Sequence, residues 1–350
     1  MSKLKLGVIF GGMSTEHEVS IVSGNSILKK LNKEKYEIFP IFISKDGQWY
    51  KMNEIPEEPK VEENNIEKID DINSYLKQLE VVFPILHGKY GEDGTLQGLL
   101  EMLKIPYVGC GVLASAVAMD KVYCKMIFKS VNIKQAKYVY IKKDKEQYIY
   151  VDEEFNELKE DISVICSKIE EKIKYPMFIK PSNSGSSVGI NKAKNREELE
   201  NAIKYAAQFD TKVLVEEGIV GREIECSVLG NEDVKASCVG EVKPAEEFYT
   251  YDAKYNNAES KITIPANIDE KLADEVRKIA VRAFKSIDGK GFARIDFFVN
   301  DNTKEIYVNE INTLPGFTNI SMYPKLWEKS GLKYEDLLDE LINLALENKV

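Results

Sequence analysis

Carboxylates, an amide and a guanidinium recur two residues apart in one short stretch of this 350-residue chain: Arg294 and Asp296, then Glu310 and Asn312. They sit in two runs, 292–300 and 306–311, rich in apolar, β-branched and aromatic residues and separated by the polar Asp301-Asn302-Thr303. That pattern predicts a β-hairpin. Side chains two apart on a strand share a face. Arg294 therefore points with Asp296, and Glu310 with Asn312, while Ile295, Phe297 and Ile311 point oppositely, into a core. Unpaired charges on a half-buried face are costly, so a partner is implied. Carboxylate and amide oxygens without Cys or His suit a hard cation, magnesium before calcium or zinc. Magnesium keeps waters and usually shares its ligands with nucleotide phosphates. The same residues also fit an Arg–Asp ladder on a solvated sheet face, and the motif alone leaves both readings open.

Other candidates stand where apolar runs meet glycine-rich turns. The run 5–10 meets Gly11-Gly12, and a helix follows with Val19, Val22, Ile27 and Leu31 near helical spacing. Strand, glycine turn, helix is how an open α/β sheet begins, and ligands sit at that turn. Glu18 there is a ligand, or half of a Thr15–Glu18 capping box, or each in turn. Run 36–44 is the next strand, with a hairpin return at 47–50. Segment 51–77 is acidic and reads as a solvated excursion with one short helix. Run 81–86 ends in His87-Gly88, again at a strand end of the ligand-binding kind. The alternative for His87 is a hydrogen bond to its own loop. A fourth strand is expected at 105–108, making about four βα-type units.

Lys121, beside Asp120, falls inside an expected helix over 114–128, where a surface charge pattern also explains it. A strand is expected over 131–141, then a charged segment with a weak helix at 162–173. Run 175–180 ends in Lys180 and enters Pro181-Ser182-Asn183-Ser184-Gly185-Ser186-Ser187-Val188-Gly189. Such a loop can fold over an anion with N–H groups and hydroxyls. The Walker pattern is absent. A simple hairpin turn is the alternative; the lysine before it and the strand after it favour a phosphate flap. Strand 213–215 ends in Glu216-Glu217, and alternating strands follow at 223–229 and 234–242. The loop 243–261 is long and polar but carries Phe248, Tyr249, Tyr251 and Tyr255, which favours an ordered lid. Amphipathic helices are expected at 197–209 and 270–287, and a closing helix at 334–347.

Length and composition bound the class. A chain of 350 residues is long for one core, so two or three domains are expected. Hydrophobic residues at 43% and charged residues at 30% describe an ordinary globular protein. A net charge of -10 argues against a sequence-independent nucleic-acid surface. The five cysteines are odd in number and include no C-x-x-C pair. That fits a reducing compartment rather than a disulfide frame or zinc knuckle. Neither signal peptide nor membrane span is read from the residues, so a cytoplasmic protein is expected.

The segments FGGMSTEHEVS, LHGKYGEDGTLQG, AMDK, KPSNSGSSVGI, FYTYDAKY, GFARIDFF and NEINTLPGFT occur in this order. Together they resemble the D-alanine-D-alanine ligases of the ATP-grasp superfamily over nearly the whole chain. The resemblance implies a three-domain α/β and α+β architecture. Its expected units are an N-terminal parallel α/β domain (1–109), a central subdomain with the flap (110–216) and a C-terminal subdomain with lid and hairpin (217–350). ATP would lie between the second and third.

It also implies ATP-dependent joining of two D-alanines through a D-alanyl phosphate, for peptidoglycan precursors. By resemblance, Asp296, Glu310 and Asn312 hold two magnesium (or manganese) ions. Lys121 and Lys180 meet the phosphates under a flap containing Ser186 and Ser187, and Lys254 of the lid belongs to the ATP site. Glu216, the backbone of Glu217 and Ile219, Glu223 and Asn309 complete the nucleotide site. Arg294 and the Gly316 N–H stabilise the oxyanion. Glu18 takes the first substrate's ammonium and His87 lies by its carboxylate. Ser321 and the Met322 N–H take the second substrate's carboxylate. Tyr255 closes the lid toward Ser186 and Glu18. Tyr255 and Met322 favour D-alanine over D-lactate or D-serine as acceptor, the ligases of vancomycin resistance being the alternative. Asn319-Ile320 and Asn183-Ser184 depart from common family residues, which puts selectivity in question more than activity. A homodimer acting on small molecules alone, without membrane or nucleic acid, is expected by analogy.

Overall fold

A computed structural model describes residues 2–185, 188–243 and 261–347. Ser186, Ser187, Lys254 and Tyr255 lie outside the described residues.

The first sheet contains β1 (Leu4–Gly11), β2 (Tyr36–Ile43), β3 (Trp49–Met52), β4 (Ile66–Lys68) and β5 (Val81–Pro84), in the order β4-β3-β2-β1-β5. β1 pairs in parallel with β2 and β5, and α1 (His17–Lys30) makes the crossover that parallel strands require. Lying between two strands, β1 is buried from Leu6 onward, hence its unbroken apolar run. β2–β3 and β3–β4 are antiparallel. The acidic excursion thus contributes β4 and α2 (Ile72–Leu76). The expected strand at 105–108 is only a single bridge, Val82 to Tyr107.

After α3 (Thr95–Leu103), the expected helix 114–128 is two helices, α4 (Val112–Met119) and α5 (Lys121–Ser130). The break is Asp120, whose carboxylate accepts from the N–H groups of Val122 and Tyr123. That is the N-cap role aspartate favours over a helix interior.

The second sheet contains β6 (Tyr138–Asp144), β7 (Gln147–Val151), β8 (Glu157–Glu160), β9 (Met177–Pro181), β10 (Asn191–Ala193) and β11 (Lys212–Glu217), in the order β10-β9-β11-β6-β7-β8. α6 (Ile162–Lys172) and α7 (Arg196–Ala206) cover one face, where Ile165, Ile169, Leu199 and Ile203 meet Val139, Ile179 and Val213. On the other face Val122 of α5 packs with Tyr140 and Leu214.

The third sheet contains β12 (Arg222–Leu229), β13 (Lys235–Lys243), β14 (Lys261–Thr263), β15 (Phe292–Val299) and β16 (Ile306–Asn312), in the order β14-β13-β12-β15-β16. α8 (Glu270–Ser286) packs Leu272, Val276, Ala280 and Phe284 against Ile224, Ile295 and Phe297. α9 (Met322–Lys329) and α10 (Tyr334–Glu347) follow. One apolar cluster joins Leu6, Val8, Phe10 and Phe83 of the first sheet to Phe292, Phe317, Tyr323, Leu337 and Leu341. The two ends of the chain therefore share a core. Ion pairs Lys30–Glu335 at 2.8 Å and Lys35–Asp339 at 2.5 Å rim it.

Candidate active site

The hairpin forms as its alternation requires. Ile295, Phe297 and Ile311 are buried under α8, and Arg294, Asp296 and Asn312 lie on the other face. Arg294 stands opposite Asn312 and Asp296 opposite Glu310. The register then slips: Phe297 pairs with Val308, leaving Asn309 as the extra residue of a β-bulge. A bulge puts two residues against one and re-aims the strand. Here Asn309 and Glu310 are both half-buried, between buried Val308 and Ile311.

The face is tightly connected. Arg294 Nε and Nη2 donate to the two Asp296 oxygens, each at 2.7 Å, and Nε is 3.0 Å from Glu225 Oε2. Asn312 Nδ2 donates to Asp296 Oδ2 at 3.0 Å. Burial works against the Arg294 charge, but Asp296, Glu225 and Glu310 outweigh it and hold the guanidinium well above its ordinary range. The ladder alternative is therefore present as geometry, while a carboxylate has lone pairs for a cation as well. Among the described residues no three His, Cys, Asp or Glu converge as a metal cage. Two carboxylates and an amide suit a hard ion that takes its remaining ligands from water and phosphate.

Lys121 and Lys180 approach this face, and Lys125 lies beside Lys180 on Glu216. Lys121 opens α5; its Nζ donates to Ser184 O at 2.8 Å and lies 3.7 Å from Glu310 Oε2. Lys180, near the end of β9, lies 2.6 Å from Glu216 Oε2. Lys125, one turn along α5, lies 2.5 Å from Glu216 Oε1 and was not among the expected residues. Burial pushes the Glu216 carboxyl up, but Lys125 and Lys180 outweigh it and bring it down to about 2. For Lys180, burial pushes down and Glu216 prevails, raising it above its ordinary value. Glu223 lies on β12 within electrostatic reach of Lys180. The Glu217 N–H is committed to Lys137 O at 3.0 Å, and Ile219 follows the strand end.

The first sheet contributes its glycine turns. His87 is buried: Nε2 is 3.0 Å from Ser23 Oγ, and Nδ1 is 3.2 Å from Leu314 O and 3.8 Å from Glu92 Oε1. Burial lowers its basicity, yet Glu92 and Glu16 outweigh this and raise it. Ser23 Oγ also accepts from the Phe317 N–H at 3.4 Å, which ties this corner to the Gly316 turn. Ser321 Oγ accepts from the Thr318 N–H at 2.9 Å, and Met322 opens α9, whose first N–H groups lack helical partners.

Glu18 does not face this pocket. Its side chain is 68% exposed and pairs with Lys45 at 2.8 Å. That hydrogen bond lowers its pKa. The expected capping box is also absent: Glu16, not Thr15, precedes α1, and no side chain caps it. Glu16 is buried, and a Cβ placed on Gly88 or Gly185 would lie 2.9 or 2.8 Å from its Oε2. Its carboxylate thus sits between the His87 turn and the flap. Residues two apart at a helix start face apart, so only one of the two glutamates points inward.

Residues 5–110 match the family described as D-ala D-ala ligase N-terminus, and 127–343 match D-ala D-ala ligase C-terminus. A D-alanine--D-alanine ligase of Acetivibrio thermocellus is 48% identical, over 99% of this chain and 96% of its own. Among solved structures, the VanG D-Ala:D-Ser ligase of Enterococcus faecalis superposes with a TM-score of 0.85 at 36% identity, covering 98% of this chain and 100% of that one. The D-alanine--D-alanine ligase of Bacillus anthracis complexed with ATP gives 0.75 at 29% identity, over 99% and 98%. On its sequence and its three sheets, the chain belongs to the D-alanine-D-alanine ligase family.

Proposed function

We propose that this chain joins two D-alanines into D-alanyl-D-alanine with ATP, through a D-alanyl phosphate, for peptidoglycan precursors. The observation that carries the reading is convergence: Lys121 reaches both the flap carbonyl of Ser184, at 2.8 Å, and Glu310 of the hairpin, at 3.7 Å. Phosphate-binding cations and a hard-oxygen face meet at one place.

A carboxylate is a poor electrophile. Phosphorylation by ATP turns it into an acyl phosphate, which the second amine attacks, and phosphate leaves. In this reading ATP lies between the second and third sheets within the expected units 1–109, 110–216 and 217–350. Lys121 and Lys180, with Lys254 and Ser187, hold the phosphates. Glu216 accepts from the base amino group, Glu217 and Ile219 offer backbone, Glu223 takes the ribose, and Asn309 borders the metal face. Asp296, Glu310 and Asn312 hold two magnesium or manganese ions, which supply charge neutralisation on the phosphates when bound. Arg294 and the Gly316 N–H face the developing oxyanion. Glu16, in place of Glu18, holds the first ammonium, and His87 lies by the carboxylate. Ser321 and the Met322 N–H hold the second carboxylate at a helix start that favours anions. Tyr255 and Ser186 close the site and exclude water. The protein acts in the cytoplasm on small molecules alone, a reading supported by its -10 charge and five free cysteines, and as a homodimer by family analogy alone.

D-alanine carrying labelled carboxylate oxygen tests the chemistry. An acyl phosphate delivers one labelled oxygen to each released phosphate; unlabelled phosphate contradicts it. The likeness to a D-Ala:D-Ser ligase makes D-serine the second reading for the acceptor. With D-alanine and D-serine competing near neutral pH, the first reading yields mainly D-alanyl-D-alanine.

A further inference from the structure

Glu216 is held between two lysines from different elements. Lys125 comes from α5 and Lys180 from β9, at 2.5 and 2.6 Å from its two oxygens. The Glu216 and Lys125 side chains are each 4% exposed and Lys180 is 14% exposed. Two ammoniums share one buried carboxylate, so one of them can turn to a polyphosphate through charge-assisted hydrogen bonds while the other keeps the carboxylate paired. The two lysines are not equivalent. Lys180 lies next to the flap and within electrostatic reach of Glu310 and Glu223. Lys125 is walled in, its ammonium 5.4 Å from the centre of the Tyr138 ring, and Tyr138 is the strand neighbour of Glu216.

We propose that Lys125 is a positioning residue of the nucleotide site, anchoring Glu216 while Lys180 moves from Glu216 onto the phosphates. The exchange frees one Glu216 oxygen, which then accepts from the exocyclic amino group of the purine. Without Lys125, the departure of Lys180 strands a buried carboxylate with no counter-ion, a state that proteins avoid by protonating or displacing the group. Either outcome removes the acceptor. Lys125 thereby sets selectivity for a purine bearing an amino group over one bearing a carbonyl. The inference rests on the ATP-dependent reading above.

The test compares the full-length chain with Lys125→Met and Lys125→Arg. Turnover is measured with ATP and with inosine triphosphate, alongside thermal unfolding and calorimetric binding of a non-hydrolysable ATP analogue. Lys125→Met raises the KM for ATP about tenfold or more and lowers the ATP-over-inosine preference in kcat/KM to a similar extent, as loss of one partner of a buried ion pair requires. Its kcat at saturation stays within a few-fold, and Lys125→Arg restores the preference. Should Lys125→Met not fold, Lys125→Gln, which keeps a donor and removes the charge, carries the same expectation. A merely structural lysine lowers stability and depresses all nucleotides alike; an unchanged preference overturns the inference. A wild-type chain inert toward ATP fails the functional reading instead.

Discussion

Lys121 Nζ lies 3.7 Å from Glu310 Oε2, so the first residue of α5 leans over the bulged strand of the hairpin. That contact joins the face proposed to hold metal to the helix proposed to hold phosphate. Glu310→Gln keeps shape and removes charge. It leaves thermal unfolding and adenine binding close to wild type and lowers kcat by roughly 10²–10³, the usual loss for one electrostatic stabiliser of a transition state. Phosphate-release kinetics check it; an unchanged kcat contradicts the assignment of Glu310.

Glu16 and Glu18 separate a pocket role from a surface role. Glu16→Gln raises the KM for the first D-alanine about tenfold or more, since a hydrogen bond to a charged group contributes ~1.5–3 kcal/mol. Glu18→Gln changes KM less than about twofold, because exposed ion pairs contribute ~0–1 kcal/mol. Steady-state kinetics of the two variants decide. The reverse pattern would restore Glu18 to the site.

Phe317 carries the seam between the first and third sheets. It is fully buried, with ring centroids 5.9 Å from Phe83, 5.8 Å from Phe292 and 5.5 Å from Tyr323. Its carbonyl accepts from Tyr334 Oη at 2.9 Å. Phe317→Ala destabilises the chain by about 3–5 kcal/mol in denaturant titration, the range for a deleted core aromatic. Because Phe317 follows Gly316, kcat falls as well. A loss below about 1 kcal/mol would mean the seam is not a cooperative core.

Glu216 links stability to acid. Its folded pKa of about 2 lies below the ordinary 4.5. Burial opposes the shift, and Lys125 and Lys180 outweigh it. The folded state therefore binds its proton less readily than the unfolded chain. The stabilisation is present above the ordinary value and is lost as pH falls from 4.5 toward 2. Glu216→Gln is less stable than wild type near neutrality, and the gap narrows through that acid window. Unfolding curves across the window show it; a gap independent of pH contradicts the buried ion-pair arrangement.

How much was legible follows from which signals are local. The hairpin face could be read because strand side chains alternate with period two. The bulge at Asn309 could not, since an extra residue changes register without changing composition. At α1, T-x-x-E suggests a helix start one residue early, while the ligand role of Glu18 comes from the resemblance; which of two glutamates two residues apart faces inward is decided by tertiary packing, not by local pattern. The break at Asp120 was signalled only by that residue's capping ability, inside a run that otherwise reads as one helix. Strand β8, Glu-Leu-Lys-Glu at the sheet edge, was missed because it carries little apolar pattern, whereas β7, Gln-Tyr-Ile-Tyr-Val, is apolar but short and sits inside an otherwise charged segment. α9 was missed too: its eight residues begin at Met322 with no side-chain cap. Lys125 looks like any lysine on an amphipathic helix, and only the second sheet folding against α5 shows its partner.

The most direct test measures phosphate and dipeptide together from the purified chain given ATP, magnesium and D-alanine. The account predicts that phosphate release depends on D-alanine, matches D-alanyl-D-alanine one for one, and falls by roughly 10²–10³ in Glu310→Gln. Phosphate released equally without D-alanine, or ATP bound with neither product formed, would contradict it.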